Sequence, residues 1–164
     1  MGISTGGMTL IHMATNQRDR IESMVLIGAT TYFPEQARVI MRRSSPDSLT
    51  QKQLESRGRN HSGGVEQARE LMKQFSNFQY SYDDMNFTPP LLSTIKARTL
   101  IIHGDRDEFF PVSIPVEEYR SIPESYLWIV PNGGHVPLFN SEVNRKYLVH
   151  TVLQFFNNNP GIWE

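Results

Sequence analysis

The sequence predicts an α/β domain with a short parallel sheet of about three strands, flanked by helices and carrying a helical insertion after the first of these strands. Three observations predict it. Short apolar runs at 24–29, 99–103 and 126–130 each lead into turn-forming residues, the pattern of strands buried on both faces. Segments with apolar residues at helical spacing stand before, between and after these runs. Alternation of the two element types is the signature of a parallel sheet covered by helices.

Taken in order, the chain opens on Met1-Gly2-Ile3-Ser4-Thr5-Gly6-Gly7, a turn composition with no strand run ahead of it. Met8, Leu10, Ile11, Met13 and Ala14 then suit a mostly buried helix from Thr5 to about Asn16, closed by a polar run. Met24 to Ala29 is the first strand. Residues 1–30 thus form one piece of the core, and residues 31–98 read as the insertion. Helices are expected there at 33–43, at 50–56 capped by Ser48 or Thr50, and at 65–78. In the last, Val65, Ala68, Leu71, Met72, Phe75 and Phe78 lie near one face. Residues 99–164 return to the core. They hold the second strand, a helix at 113–122 with Val116, Tyr119 and Ile122 at helical spacing, the third strand, and a last helix at 141–157. That helix repeats Val143, Tyr147, Val149, Val152, Leu153 and Phe156 before an Asn-Pro-Gly stop.

Composition narrows the function classes. The 164 residues, 38% hydrophobic, suit one packed domain rather than two. A net charge of −1 offers no basic field for nucleic acid. The absence of Cys excludes disulfides, thiolate metal sites and Cys nucleophiles. The apolar runs fall far short of the roughly 20 residues of a membrane span. The N-terminus shows neither a basic nor an apolar signal region, so a cytoplasmic location is expected. No motif or acidic cluster suggests a metal, and no cofactor is expected.

The chemistry lies in the turns that follow the strands. Gly2-Ile3-Ser4-Thr5-Gly6 fits G-x-S-x-G, a sharp strand-to-helix turn that holds Ser in a strained conformation, with small residues letting neighbouring backbone approach. Ser4 would project its hydroxyl there, and the Thr5 N–H would donate to a developing oxyanion at the positive end of the helix. A flexible glycine-rich tail is the other reading of these five residues. The second strand runs into Gly104-Asp105-Arg106-Asp107, which puts carboxylates beyond the carboxyl end of a buried strand. The third runs into Pro131-Asn132-Gly133-Gly134-His135. Ser, Asp and His therefore each follow a strand, in that chain order.

On these segments the chain resembles the C-terminal part of an α/β-hydrolase-fold protein, in the branch of capped esterases and related hydrolases. The resemblance spans nearly the whole chain and implies that 31–98 is a helical cap. It implies Asp107 as the acid, with Asp105 as understudy, and a two-step acyl transfer by Ser4, His135 and Asp107 on a small ester-like substrate. Phe109, Phe110, Val136 and Leu138 would line an acyl pocket or pack as core, and Phe75 of the insertion would close over substrate or pack. His12, His61 and His150 have no partner at ligand spacing. His103 is expected to pack, with a supporting hydrogen bond to the acid loop as its functional alternative. Asp83, Asp84 and Glu108 read as solvated charge.

Family members carry strands and an oxyanion loop ahead of the Ser turn. The sequence therefore leads us to expect a bare edge on the 24–29 strand, open to self-association or a partner strand. We also expect weak or absent turnover by the chain alone, or else a non-catalytic module that needs a partner.

Overall fold

A computed structural model describes residues 1–83, 85–139 and 141–157. The chain divides into two compact units. One comprises Met1–Tyr32 and the chain from Met85 onward, and the other is Phe33–Asp84.

The first unit is built on four parallel strands in the order β1 (Gly2–Ile3), β2 (Ser23–Ile27), β3 (Arg98–Gly104) and β4 (Ser125–Val130). Sequence reasoning expected about three. The additional strand is only two residues long, too short for any periodicity to register, and it pairs Gly2 with Leu26 and Ile3 with Ile27. The expected bare edge on β2 is therefore covered at Leu26 and Ile27, and all residues from Met24 to Ile27 are buried. β2 and β3 pair over five residues, from Ser23↔Arg98 to Ile27↔Ile102, and β3 and β4 over six, from Thr99↔Ser125 to Gly104↔Val130. These registers bring the carboxyl ends of the strands level, which is where the turns of interest emerge.

The helices of this unit are α1 (Thr5–Asn16), the single-turn α5 (Pro89–Leu92), α6 (Ser113–Ser121) and α7 (Glu142–Phe156). Parallel strands need crossovers, and these are right-handed almost without exception. The β1–α1–β2 and β3–α6–β4 connections step along the sheet in one direction, so α1 and α6 cover a common face. α7 serves the core that holds Val25, Ile27, Leu100, Ile102 and Val130, to which it contributes Leu148, Val152 and Phe155. Each such side chain, fully buried, contributes about 1.5–3 kcal/mol of hydrophobic stabilisation. Arg98 anchors the far end of this layer, with its guanidinium 4.4 Å from the centre of the Phe155 ring and bonded to the Phe155 carbonyl.

Two helix faces differ from expectation. α7 carries apolar residues on every side, interleaved with polar ones, so periodicity alone does not select its inner face. Val143, Tyr147, Val149, Leu153 and Phe156 are exposed, while Leu148 and Phe155 join Val152 inside. In α6 the inner stripe is Ile114, Glu118 and then Ile122, and Tyr119 is exposed. A carboxylate in the middle of that stripe hides it from a hydrophobic pattern. Among the described residues no hydrogen-bond donor reaches either Glu118 oxygen.

The second unit holds α2 (Glu35–Arg43), α3 (Gln51–Gly58) and α4 (Gly64–Asn77). It is shorter than the expected 31–98 insertion, because residues 85–97 group with the sheet. Thr50 caps α3. Its hydroxyl accepts from the Gln53 N–H at 3.4 Å, and the Gln53 side chain accepts from the Thr50 N–H at 2.8 Å. Arg38 is buried, and its partners among the described residues are backbone carbonyls and an aromatic ring. Its guanidinium donates to the carbonyls of Phe33, Phe78, Gln79 and Ser81 and stacks 3.9 Å over Tyr82, tying the end of α4 to α2. On α4 only Ala68 is buried, and Leu71 points to solvent. No helix among the described residues is long and apolar enough to cross a membrane.

Candidate active site

Three strand ends build the site. At the first, Ser4 joins β1 to α1 with φ 51° and ψ −121°, in the left-handed half of backbone space that a non-glycine residue occupies only under constraint. The constraint is visible. The Ser4 N–H donates to the Ile27 carbonyl at 2.8 Å, and its own carbonyl accepts from Gly7 and Met8 as α1 begins. A Cβ on Gly2 would lie 2.4 Å from the Gly6 backbone, and one on Gly7 would lie 2.8 Å from the Ala29 Cβ. A Cβ on Gly6 meets nothing, so Gly2 and Gly7 are the glycines that the turn requires. A serine at the start of a helix normally turns its hydroxyl back onto backbone N–H groups. Ser4 makes no such cap. Its Oγ lies instead 2.9 Å from Nε2 of His135.

At the second end, Asp107 is buried in the loop after β3. Its Oδ1 accepts from the Phe109 N–H at 2.7 Å and the Phe110 N–H at 3.1 Å, and its Oδ2 lies 2.9 Å from Nδ1 of His135. Burial pushes this carboxyl upward. The hydrogen bond and charge of His135, with the two backbone donors, outweigh that effect and hold it below the usual carboxylate range. An ionised Asp107 only accepts, so His135 carries its proton on Nδ1 and presents a bare Nε2 to the Ser4 hydroxyl.

At the third end, the turn after β4 reaches His135 through Asn132, which takes φ 54°, and two glycines. The acid and His loops approach closely only because Gly104 has no side chain, since a Cβ there would lie 2.2 Å from the Gly133 carbonyl oxygen. Two carboxylates fasten the loops to each other. Asp105 Oδ1 accepts from the Gly133 N–H at 3.2 Å, and Glu108 Oε2 accepts from the His135 N–H at 3.3 Å. Asp105 thus holds the His loop rather than the imidazole, and Glu108, expected to be solvated charge, bonds the residue it faces. Phe109 and Phe110 flank the imidazole, with ring centres 4.6 Å and 5.3 Å from it.

Of the residues expected in the site, Ser4, Asp107 and His135 come together, with Thr5 as the first residue of α1. Phe110 is 2% exposed and serves as packing for His135. Leu138 packs against the α7 core, and Val136 is half-buried beside the His loop. Phe75 lies half-buried on α4 of the other unit. His12 meets the Phe87 ring edge-on at 4.6 Å. Sequence reasoning missed Gly28, which follows β2 at φ +56°. A Cβ there would lie 2.5 Å from the His135 carbonyl and 3.3 Å from its ring. Its signal was a glycine ending a buried strand at the same sheet edge.

Among solved structures, a meta-cleavage product hydrolase of Pseudomonas fluorescens aligns with 96% of this chain and 63% of its own length, at a TM-score of 0.68 and 21% identity. The fold is part of an α/β-hydrolase fold. A second α/β-hydrolase, an enzyme from a Medee basin deep-sea metagenome library, aligns over 95% of this chain and 63% of its own at a TM-score of 0.67 and 20% identity. A thermophilic esterase from Thermogutta terrifontis gives 96%, 63%, 0.61 and 19% for the same measures. The chain therefore spans about 63% of the length of these α/β-hydrolases. No family model and no curated protein sequence matches it.

Proposed function

We propose that this chain is the nucleophile-bearing part of a serine hydrolase that cleaves small esters or similar carbonyl compounds through an acyl-enzyme. The observation that carries the reading is the unbroken relay from Ser4 Oγ through His135 to Asp107, with both links at 2.9 Å. In the first step His135 Nε2 takes the Ser4 hydroxyl proton as Oγ bonds to the carbonyl carbon, and the carbonyl electron pair moves to oxygen. The Thr5 N–H, at the positive end of α1, is the donor this chain offers to that oxyanion. As the intermediate collapses, the ester C–O bond breaks and the Nε2 proton leaves with the alkoxide. Water then repeats the sequence on the acyl-enzyme, giving its proton to His135, and the acid product departs as Ser4 is reprotonated. Asp107 holds the imidazole tautomer and balances the charge of the imidazolium.

One oxyanion donor is worth about 10²–10³ in rate, so turnover that relies on the Thr5 N–H alone is expected to lie well below that of a full esterase. Acylation is the step to measure. Incubation with p-nitrophenyl acetate is expected to leave an acetyl group on Ser4, detected by peptide mass spectrometry and absent from Ser4→Ala. Release of p-nitrophenol at equal rates by the two proteins, with no adduct on Ser4, would overturn the reading. Release or adduct only on mixing with a further polypeptide would favour a complementing module over a self-sufficient enzyme.

A further inference from the structure

We infer that His103 is a positioning residue for the acid, through a neutral imidazole that fixes the Asp107 loop from behind. The inference rests on the Ser4–His135–Asp107 reading. His103 ends β3 and is 1% exposed. Its Nε2 lies 2.9 Å from the Phe110 carbonyl oxygen, an obligate acceptor, so Nε2 carries a proton. The same nitrogen is 3.5 Å from Asp107 Oδ2, the oxygen that accepts from His135. Burial depresses the affinity of His103 for a second proton. The Phe110 carbonyl and the Asp107 charge act the other way without overcoming it, and the positive charge that His135 can carry adds to the depression. His103 therefore stays neutral and leaves the Asp107 charge to His135.

The loop geometry gives this contact its consequence. Phe110 is held at both backbone groups, its N–H by Asp107 Oδ1 at 3.1 Å and its carbonyl by His103. Its ring packs on the His135 imidazole. Loss of the His103 donor frees the Phe110 peptide, and with it one of the two N–H groups that orient the carboxylate and one of the two rings that steady the histidine. It also leaves a buried carbonyl without its partner, which is costly in any core. A histidine that only filled space would be replaceable by an apolar side chain of similar size with no effect on His135.

The test separates these roles without requiring turnover. In the 164-residue chain labelled with 15N-histidine, the proton shared by His135 Nδ1 and Asp107 is expected as a far-downfield resonance absent from H135Q and D107N. His103→Phe should lose or shift that resonance and slow Ser4 labelling by a fluorophosphonate, by up to about 10²-fold for a catalytic group displaced by an ångström. His103→Gln, whose amide N–H can reach the Phe110 carbonyl, should keep both. If the Phe variant does not fold, His103→Asn, whose shorter amide falls short of that carbonyl, takes its place. An unchanged resonance in folded H103F or H103N, or an equal loss in H103Q, would overturn the inference alone. Absence of the resonance from the unaltered chain would overturn the triad reading and the inference with it.

Discussion

Asp107→Asn should lower the rate of Ser4 acylation by about 10⁴-fold while leaving the fold intact. The magnitude comes from the tautomer, and the structure dictates which tautomer the variant adopts. Two backbone N–H groups, of Phe109 and Phe110, point at Oδ1. An asparagine must set its carbonyl oxygen against them, because its NH₂ there would face two donors. The NH₂ is then turned toward His135 Nδ1, in the place of Oδ2. Facing a donor, Nδ1 becomes the acceptor and the ring proton moves to Nε2, the atom 2.9 Å from the Ser4 hydroxyl. That nitrogen can no longer take the serine proton. Asp105→Asn is the matched control. It keeps an oxygen for the Gly133 N–H and does not touch the imidazole, so its acylation rate should stay near that of the unaltered chain. A large loss in the Asp105 variant with little loss in the Asp107 variant would exchange the two assignments.

Glu118→Gln should raise thermal stability above pH 8 and change it little near pH 5. Glu118 is completely buried on α6 with no hydrogen-bond donor to its oxygens among the described residues, and burial, reinforced by the charge of Glu117, raises its pKa from 4.5 to about 8. The sign follows from proton counting. Between pH 4.5 and 8 the folded chain holds a proton that the unfolded chain releases, so stability falls as pH rises through that window and levels off above it. At 1.36 kcal/mol per pKa unit, the difference amounts to about 3 kcal/mol by pH 7 and somewhat more above pH 8. Glutamine keeps the shape and removes the titration. For a chain of this size, the variant's melting temperature should exceed the parent's by roughly 10 °C at pH 8.5. The two should converge toward pH 5. A constant offset between them at all pH values would show that Glu118 is not held neutral in the folded chain.

The readable part of this molecule is the part written in contiguous residue types. β2, β3 and β4 announce themselves as apolar runs; β3 and β4 run into the turns that carry Asp107 and His135, and Ser4 is legible in the G-x-S-x-G turn ahead of β2. What escaped falls into three physical kinds. β1 is two residues long, below the length at which alternation exists, and only its pairing with Leu26 and Ile27 defines it. The inner faces of α6 and α7 are not legible because Glu118 interrupts one hydrophobic stripe and the other helix scatters apolar and polar residues over every side. Two supports of the site, Gly28 beneath His135 and Glu108 on its backbone N–H, are contacts between distant segments. No local pattern encodes such contacts. Asp107 could be preferred to Asp105 only through a resemblance, and the hydrogen bonds separate them: one carboxylate meets the imidazole and the other meets a glycine N–H.

In the proposed function the relay from Asp107 through His135 makes Ser4 a nucleophile. The most direct measurement is the reaction of the chain with a fluorophosphonate probe, followed by peptide mapping of the phosphonylated residue in the unaltered protein and in His135→Gln. An adduct on Ser4 is expected in the first and none in the second. An adduct on another residue, or one on Ser4 that forms equally well without His135, would contradict the relay.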